Sequence, residues 1–140
     1  MNAILGVLLA ITLALGLLAG IVFGRSDRTM FVPPPEAVAE SFMRQLATGR
    51  YARALPYLSD DLAARTTPDT LRALTDRLQN RTGKILDVRG DPISISGDQA
   101  EANATLKTKA AGEPAFNFKL TRQEGVWKIS DIGSLEAAAP

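Results

Sequence analysis

Apolar and polar positions are distributed very unevenly along the chain. From Ala3 to Phe23 no side chain is charged, and Thr12 is the only polar one. A helix of that run is roughly 32 Å long at about 1.5 Å per residue, matching about 30 Å of bilayer hydrocarbon. A soluble helix of this length would carry a polar stripe, and this run has none. The pattern predicts a single transmembrane helix over residues 1–24. Retention as a signal anchor is expected rather than cleavage. The segment before the run is only Met1-Asn2, the run ends in Ile21-Val22-Phe23 rather than small residues, and no cysteine follows that could carry a lipid.

Beyond the span the periodicity becomes helical. Residues 25–35 read as a linker, with Arg25 and Arg28 at headgroup level and Pro33 to Pro35 as a stiff polyproline spacer. Met30, Phe31 and Val32 are expected to cover the first helix. Val38, Phe42 and Leu46, with Ala39 and Met43 beside them, form one apolar stripe and predict a helix over Glu36–Thr48. Tyr51, Ala54, Leu55 and Leu58 predict a second, shorter helix, interrupted by Pro56. Ser59-Asp60-Asp61-Leu62 reads as a turn leading into a helical stub. Thr67-Pro68-Asp69 is a helix start, with Leu71, Leu74 and Leu78 on the buried face and Gly83 at the end. Arg77, Arg81 and Lys84 gather at the negative end of that helix dipole, where they read as a solvated, charge-matched terminus.

From Lys84 onward the period is two. Strands are predicted over Ile85–Arg89, Ile93–Ser96, Ala100–Thr108, Ala115–Arg122 and Val126–Ile132, with Gly90-Asp91-Pro92, Gly97-Asp98, Ala111-Gly112-Glu113-Pro114 and Glu124-Gly125 as turns. Short turns imply an antiparallel meander with one dry face. The order helices-then-strands predicts an α+β domain at 36–135, three helices packed on four to five strands, and a flexible tail at 136–140.

Composition narrows the chemistry. The 140 residues include no His and no Cys. A transition-metal site, a thiol nucleophile and the usual general base are therefore not expected, and no metal or cofactor is assigned. Net charge is +1 with the signs interspersed, so nucleic acid is not an expected partner. An excess of Arg over Lys together with abundant Ala fits a GC-rich bacterial genome.

Three stretches carry a family likeness. Glu40-Ser-Phe-Met-Arg-Gln-Leu-Ala-Thr-Gly-Arg-Tyr-Ala-Arg-Ala-Leu, Leu58-Ser-Asp-Asp-Leu and Val126-Trp-Lys-Ile-Ser-Asp-Ile resemble the nuclear-transport-factor-2-like superfamily, in particular its small bacterial membrane-anchored domains of unknown function. The likeness covers about Glu36 to Ile132, and its motifs are structural rather than catalytic. It implies a cone: a curved sheet wrapped around helices, with a pocket at the open end. Members include isomerases and dehydratases, small-ligand binders and adaptors, so fold alone does not choose a function.

If such a pocket is open, Tyr51, Phe116, Phe118, Trp127 and Asp131 are the residues that would line it; core packing of Phe116, Phe118 and Trp127 without a cavity, and termination of the last strand at solvent with Asp131, are the preferred readings. No acid/base pair stands out among them, and no catalytic residue is assigned. A second candidate surface lies in the span. Gly16, Gly20 and Gly24 recur every fourth residue, and Gly6, Ala10 and Ala14 form an adjacent row. Lipid tails are as apolar as leucine, so membrane helices associate by close backbone packing, which small residues at this spacing permit. The expected partners are therefore helices of integral membrane proteins, in a hetero-complex or a homodimer, within the bacterial inner membrane. Arg25 and Arg28 after the span favour a cytoplasmic domain; the resemblance to exported, anchored domains favours the extracytoplasmic side, which is preferred here. The expectation is a non-enzymatic accessory or scaffolding subunit. A tethered module for a small apolar ligand is the alternative, and an isomerase-like enzyme with Asp131 inward beside Tyr51 or Tyr57 is the third.

Overall fold

The chain begins its described part with two exposed hydrophobic residues. The computed structural model describes residues 31–110 and 112–138; the predicted span, with Gly6, Ala10, Ala14, Gly16, Gly20 and Gly24, lies outside them. Among the described residues no helix is long and apolar enough to cross a membrane. Val32 is 44% exposed and does not cover the first helix as the sequence suggested; Met30, of the same expectation, lies outside the described residues. Pro34 is in the polyproline region (φ −66°, ψ 162°).

Helix α1 (Pro35–Ala47) starts with its proline at the first helical position, where no N–H is needed. It buries Val38, Ala39, Phe42, Met43 and Leu46, the stripe read from the sequence. Gly49, with φ +73°, reverses the chain into α2 (Tyr51–Ala54), which tightens into a 3₁₀ turn over Leu55–Tyr57. Pro56 has no N–H for an α-helical bond, which accounts for the change. The stub is α3 (Asp60–Ala64), capped by Ser59, whose Oγ accepts the Leu62 N–H at 3.4 Å. Helix α4 (Pro68–Thr82) opens with a capping box. Thr67 Oγ1 accepts the Thr70 N–H at 3.1 Å and Thr70 Oγ1 accepts the Thr67 N–H at 2.9 Å.

Four antiparallel strands follow in sequence order: β1 (Ile85–Ser96), β2 (Gln99–Thr108), β3 (Ala115–Gln123) and β4 (Val126–Asp131). The turn expected at Gly90-Asp91-Pro92 does not form. Those residues pair with Ala104, Asn103 and Ala102, so β1 is one continuous strand and the sheet has four strands. Two features explain this. Strand β1 is a sheet edge, where a proline without N–H is tolerated, and a register shift between Pro92 and Ser94 absorbs the irregularity.

The sheet manages both edges. At β1 the Val88 N–H donates to Asp87 Oδ1 (2.9 Å) and the Val88 carbonyl accepts from Arg44 Nη2 (3.0 Å), so side chains occupy these backbone groups. At β4, Leu58 forms a parallel bridge with Ile129, and the Ser59 N–H donates to the Ile129 carbonyl at 2.8 Å.

The C-terminal segment also departs from expectation. Residues from Glu136 were expected to be flexible, yet α5 (Gly133–Ala138) is helical through Ala138. Leu135 is fully buried, Ser134 Oγ accepts the Asn117 N–H at 3.1 Å, and Arg81 Nη1 donates to the Ala138 carbonyl at 2.7 Å. The core lies between α1 and the sheet. Phe42 and Phe118, both at 0% exposure, meet edge-to-face there with centroids 6.0 Å apart.

Candidate functional site

The inward face of the sheet is built by alternation. Ala100, Ala102, Ala104 and Leu106 on β2, Phe116, Phe118 and Leu120 on β3, and Trp127 and Ile129 on β4 all turn toward the helices and are buried. The small residues of β2 sit opposite the aromatics of β3: Ala102 pairs with Phe118 and Ala104 with Phe116. This small-against-large arrangement lets α1 settle on the sheet with Phe42 in contact. Phe116, Phe118 and Trp127, the candidate pocket lining, are buried at 4%, 0% and 4% exposure. Trp127 also carries the Arg122 guanidinium 4.5 Å from its ring centroid.

Asp131 is not inward. It is exposed at the end of β4, where its Oδ1 accepts the Gly133 N–H at 2.6 Å and so helps start α5. The alternation with Trp127 and Ile129 breaks because a register shift between Lys119 and Leu120 changes the pairing, leaving Asp131 opposite exposed Lys119. The juxtaposition that the isomerase-like reading requires, an inward Asp131 with Tyr51 or Tyr57, is therefore not formed. Among the described residues the buried polar side chains are Ser59, Thr75 and Thr108, none of which titrates near neutrality. No group of three or more His, Cys, Asp or Glu that could hold a metal occurs among these residues.

Tyr51 is half-buried and lies elsewhere, in a surface groove of about 460 Å³ with Gly49, Arg50, Arg53, Pro68 and Arg72. Arg50 and Arg53 are one turn apart on the α1–α2 side. Arg72 comes from α4, with its guanidinium carbon 5.6 Å from the Tyr51 ring centroid. The sequence placed Tyr51 on an apolar stripe but carried no signal for Arg72, which reaches the groove only through the packing of α2 on α4.

A second groove, of about 260 Å³, centres on Arg44. Arg44 Nη2 lies 2.7 Å from Glu40 Oε1 and 3.6 Å from Asp87 Oδ1. The hydrogen bond to Glu40 is the main cause that raises the Arg44 pKa above its ordinary value, with the charges of Glu40 and Asp87 adding to it. This cluster is internally neutralised and ties α1 to β1. Its chemistry is structural.

No protein-family model matches the chain, and no curated protein matches it in sequence. Solved structures do match in fold. A protein from Campylobacter jejuni, named as an NTF2-like transpeptidase, is 18% identical with a TM-score of 0.56, over 71% of this chain and 99% of that one. A SEC-C-motif-containing protein from Rhodopseudomonas palustris is 18% identical with a TM-score of 0.54, over 75% and 81%. The described domain has the nuclear-transport-factor-2-like fold. At these identities the likeness concerns architecture and carries no activity.

Proposed function

We propose that the chain is a single-pass, membrane-anchored accessory or scaffolding subunit of a larger bacterial membrane complex, its cone domain serving as a protein-interaction module. The observation that carries this reading is the contact at the centre of the domain, where helix α1 packs on the sheet. Phe118 is fully buried and edge-on to Phe42, while the candidate polar groups lie elsewhere, Tyr51 half-buried in a surface groove and Asp131 exposed. A domain of this fold with no buried acid or base among its described residues offers its partners an outer surface. That weighs against both a tethered ligand binder and an isomerase-like enzyme.

The anchor part of the reading rests on the uncharged run Ala3–Phe23 and its small-residue rows. The extracytoplasmic side of the inner membrane is the preferred location for the domain. The test is purification of the full-length protein in mild detergent, with mass spectrometry of what accompanies it. A discrete set of membrane proteins is expected, and Gly20→Ile is expected to release them by blocking backbone approach. Unchanged co-migration of the Gly20→Ile protein, or a clean monomer from the parent chain, overturns the reading.

A further inference from the structure

We infer that the groove between α2 and α4 is a docking site for an acidic, extended segment of a partner protein. The inference rests on the interaction-module reading for taking the occupant to be a protein, and on the groove alone for its chemistry. Three arginines, Arg50, Arg53 and Arg72, line this groove from two separate parts of the chain. Among the described residues none of the three takes part in an ion pair or donates a side-chain hydrogen bond; the ion pairs there belong to Arg44 and Arg89. Asp69 and Asp76 lie one turn before and after Arg72 on α4 without pairing with it, and neither lines the groove.

The lining residues carry no acid, so the groove has uncompensated positive charge. Guanidinium forks bind carboxylates in plane, through two parallel N–H···O bonds, and do so best where the donors are already held in place. Arg72 is held, because its charge rests over the Tyr51 ring. The same lining includes Tyr51 and Pro68, which add a short apolar surface. The volume of about 460 Å³ accommodates several residues rather than one small anion. The complementary occupant has carboxylates at both ends and an apolar or aromatic side chain between them, the mode in which arginine clusters read acidic motifs.

The test uses full-length protein in a neutral detergent and a fluorescein-labelled Glu-Glu-Phe-Glu-Glu peptide, followed by anisotropy. Binding is expected, weakening as salt rises, and the Gln-Gln-Phe-Gln-Gln peptide is expected not to bind. The double variant Arg53→Gln/Arg72→Gln should lose about tenfold or more in affinity with only a small loss of thermal stability, since both side chains are exposed. Lys119→Glu, exposed on β3 outside the groove, should bind the peptide as the parent does. Three results would overturn the inference: no peptide binding, equal losses in the Lys119→Glu protein, or protection of the groove from hydrogen exchange only in phosphatidylglycerol bilayers. The last would make it a lipid-headgroup site. Failure here leaves the Gly20→Ile experiment unaffected, because these variants do not touch the span and that one does not touch the groove.

Discussion

The backbone carbonyl of Glu36 lies directly against the α-carbon of Gly90, in the space a side chain there would fill. A β-carbon on Gly90 would also come within 2.9 Å of the Glu36 carbonyl carbon and 3.1 Å of Glu40 Cβ. The start of α1 thus crosses β1 at the one residue that lets two backbones touch. Gly90 is needed for close approach and not for a turn.

Gly90→Ala is accordingly expected to destabilise the fold, although alanine suits a strand no worse than glycine. Overpacking of this kind costs about 1–3 kcal/mol, since either the helix or the strand must move. A urea titration of the two proteins measures it. An unchanged midpoint would mean that α1 is not seated on β1 as described.

Removing the aromatic contact at the centre should cost more. Phe118→Ala deletes a fully buried ring that meets Phe42 edge-on, and such deletions cost about 3–5 kcal/mol. The companion prediction separates packing from ligand binding: adding small apolar molecules such as benzene should not raise the thermal midpoint of the parent protein, whose Phe118 ring already packs on Phe42.

The C-terminal helix should behave as part of the domain. Leu135→Ala removes a fully buried side chain, with an expected loss of about 2–5 kcal/mol. Arg81→Ala, which removes the bond to the Ala138 carbonyl, should cost about 1 kcal/mol or less because the pair is exposed. Hydrogen exchange distinguishes the cases: amides of residues 135 and 136, which donate to the Ile132 carbonyl, should be protected in the parent chain and lose protection in the Leu135→Ala protein. Fast exchange there in the parent would restore the flexible tail.

Arg44 predicts a pH dependence by its sign. Its pKa is raised in the folded state, first by the hydrogen bond to Glu40. A cation with a raised folded-state pKa contributes its stability at every pH below its unfolded value, and the contribution fades only as pH climbs through the folded value. The stability difference between the parent and Arg44→Met, about 1 kcal/mol for a largely exposed ion pair with one bond to a carbonyl, should therefore be the same at about pH 7 and about pH 10. Urea midpoints at the two pH values check this. A difference that disappears by the higher value would assign the effect to another group.

Much of the domain was legible in the sequence because the signals are local. The stripe Val38–Phe42–Leu46 places the buried face of α1, and Thr67-Pro68 sets the start of α4 through a side-chain cap and a fixed φ. Pro56 marks the change to a 3₁₀ turn, and alternation on β2 and β3 separates core from surface. Each depends on residues within a few positions of one another.

What failed depended on distance. Gly90-Asp91-Pro92 has the composition of a turn, and only the arrival of Glu36, together with the edge position of β1, keeps it a strand. Whether Phe118 would face space or another ring was also beyond local signals, because its partner Phe42 lies 76 positions away. The register shift on β4 turned Asp131 outward, and Leu135 found a buried place that makes a helix of an unremarkable tail. The groove of Arg50, Arg53 and Arg72 exists because two helices meet. The sequence by itself determined the elements, the dry face of the sheet and the α+β class, since propensity, capping and periodicity are short-range. The tertiary structure alone decided what fills the cone, which glycine is indispensable and where charge is left unpaired, since sterics and Coulomb interactions act between whatever the chain brings together.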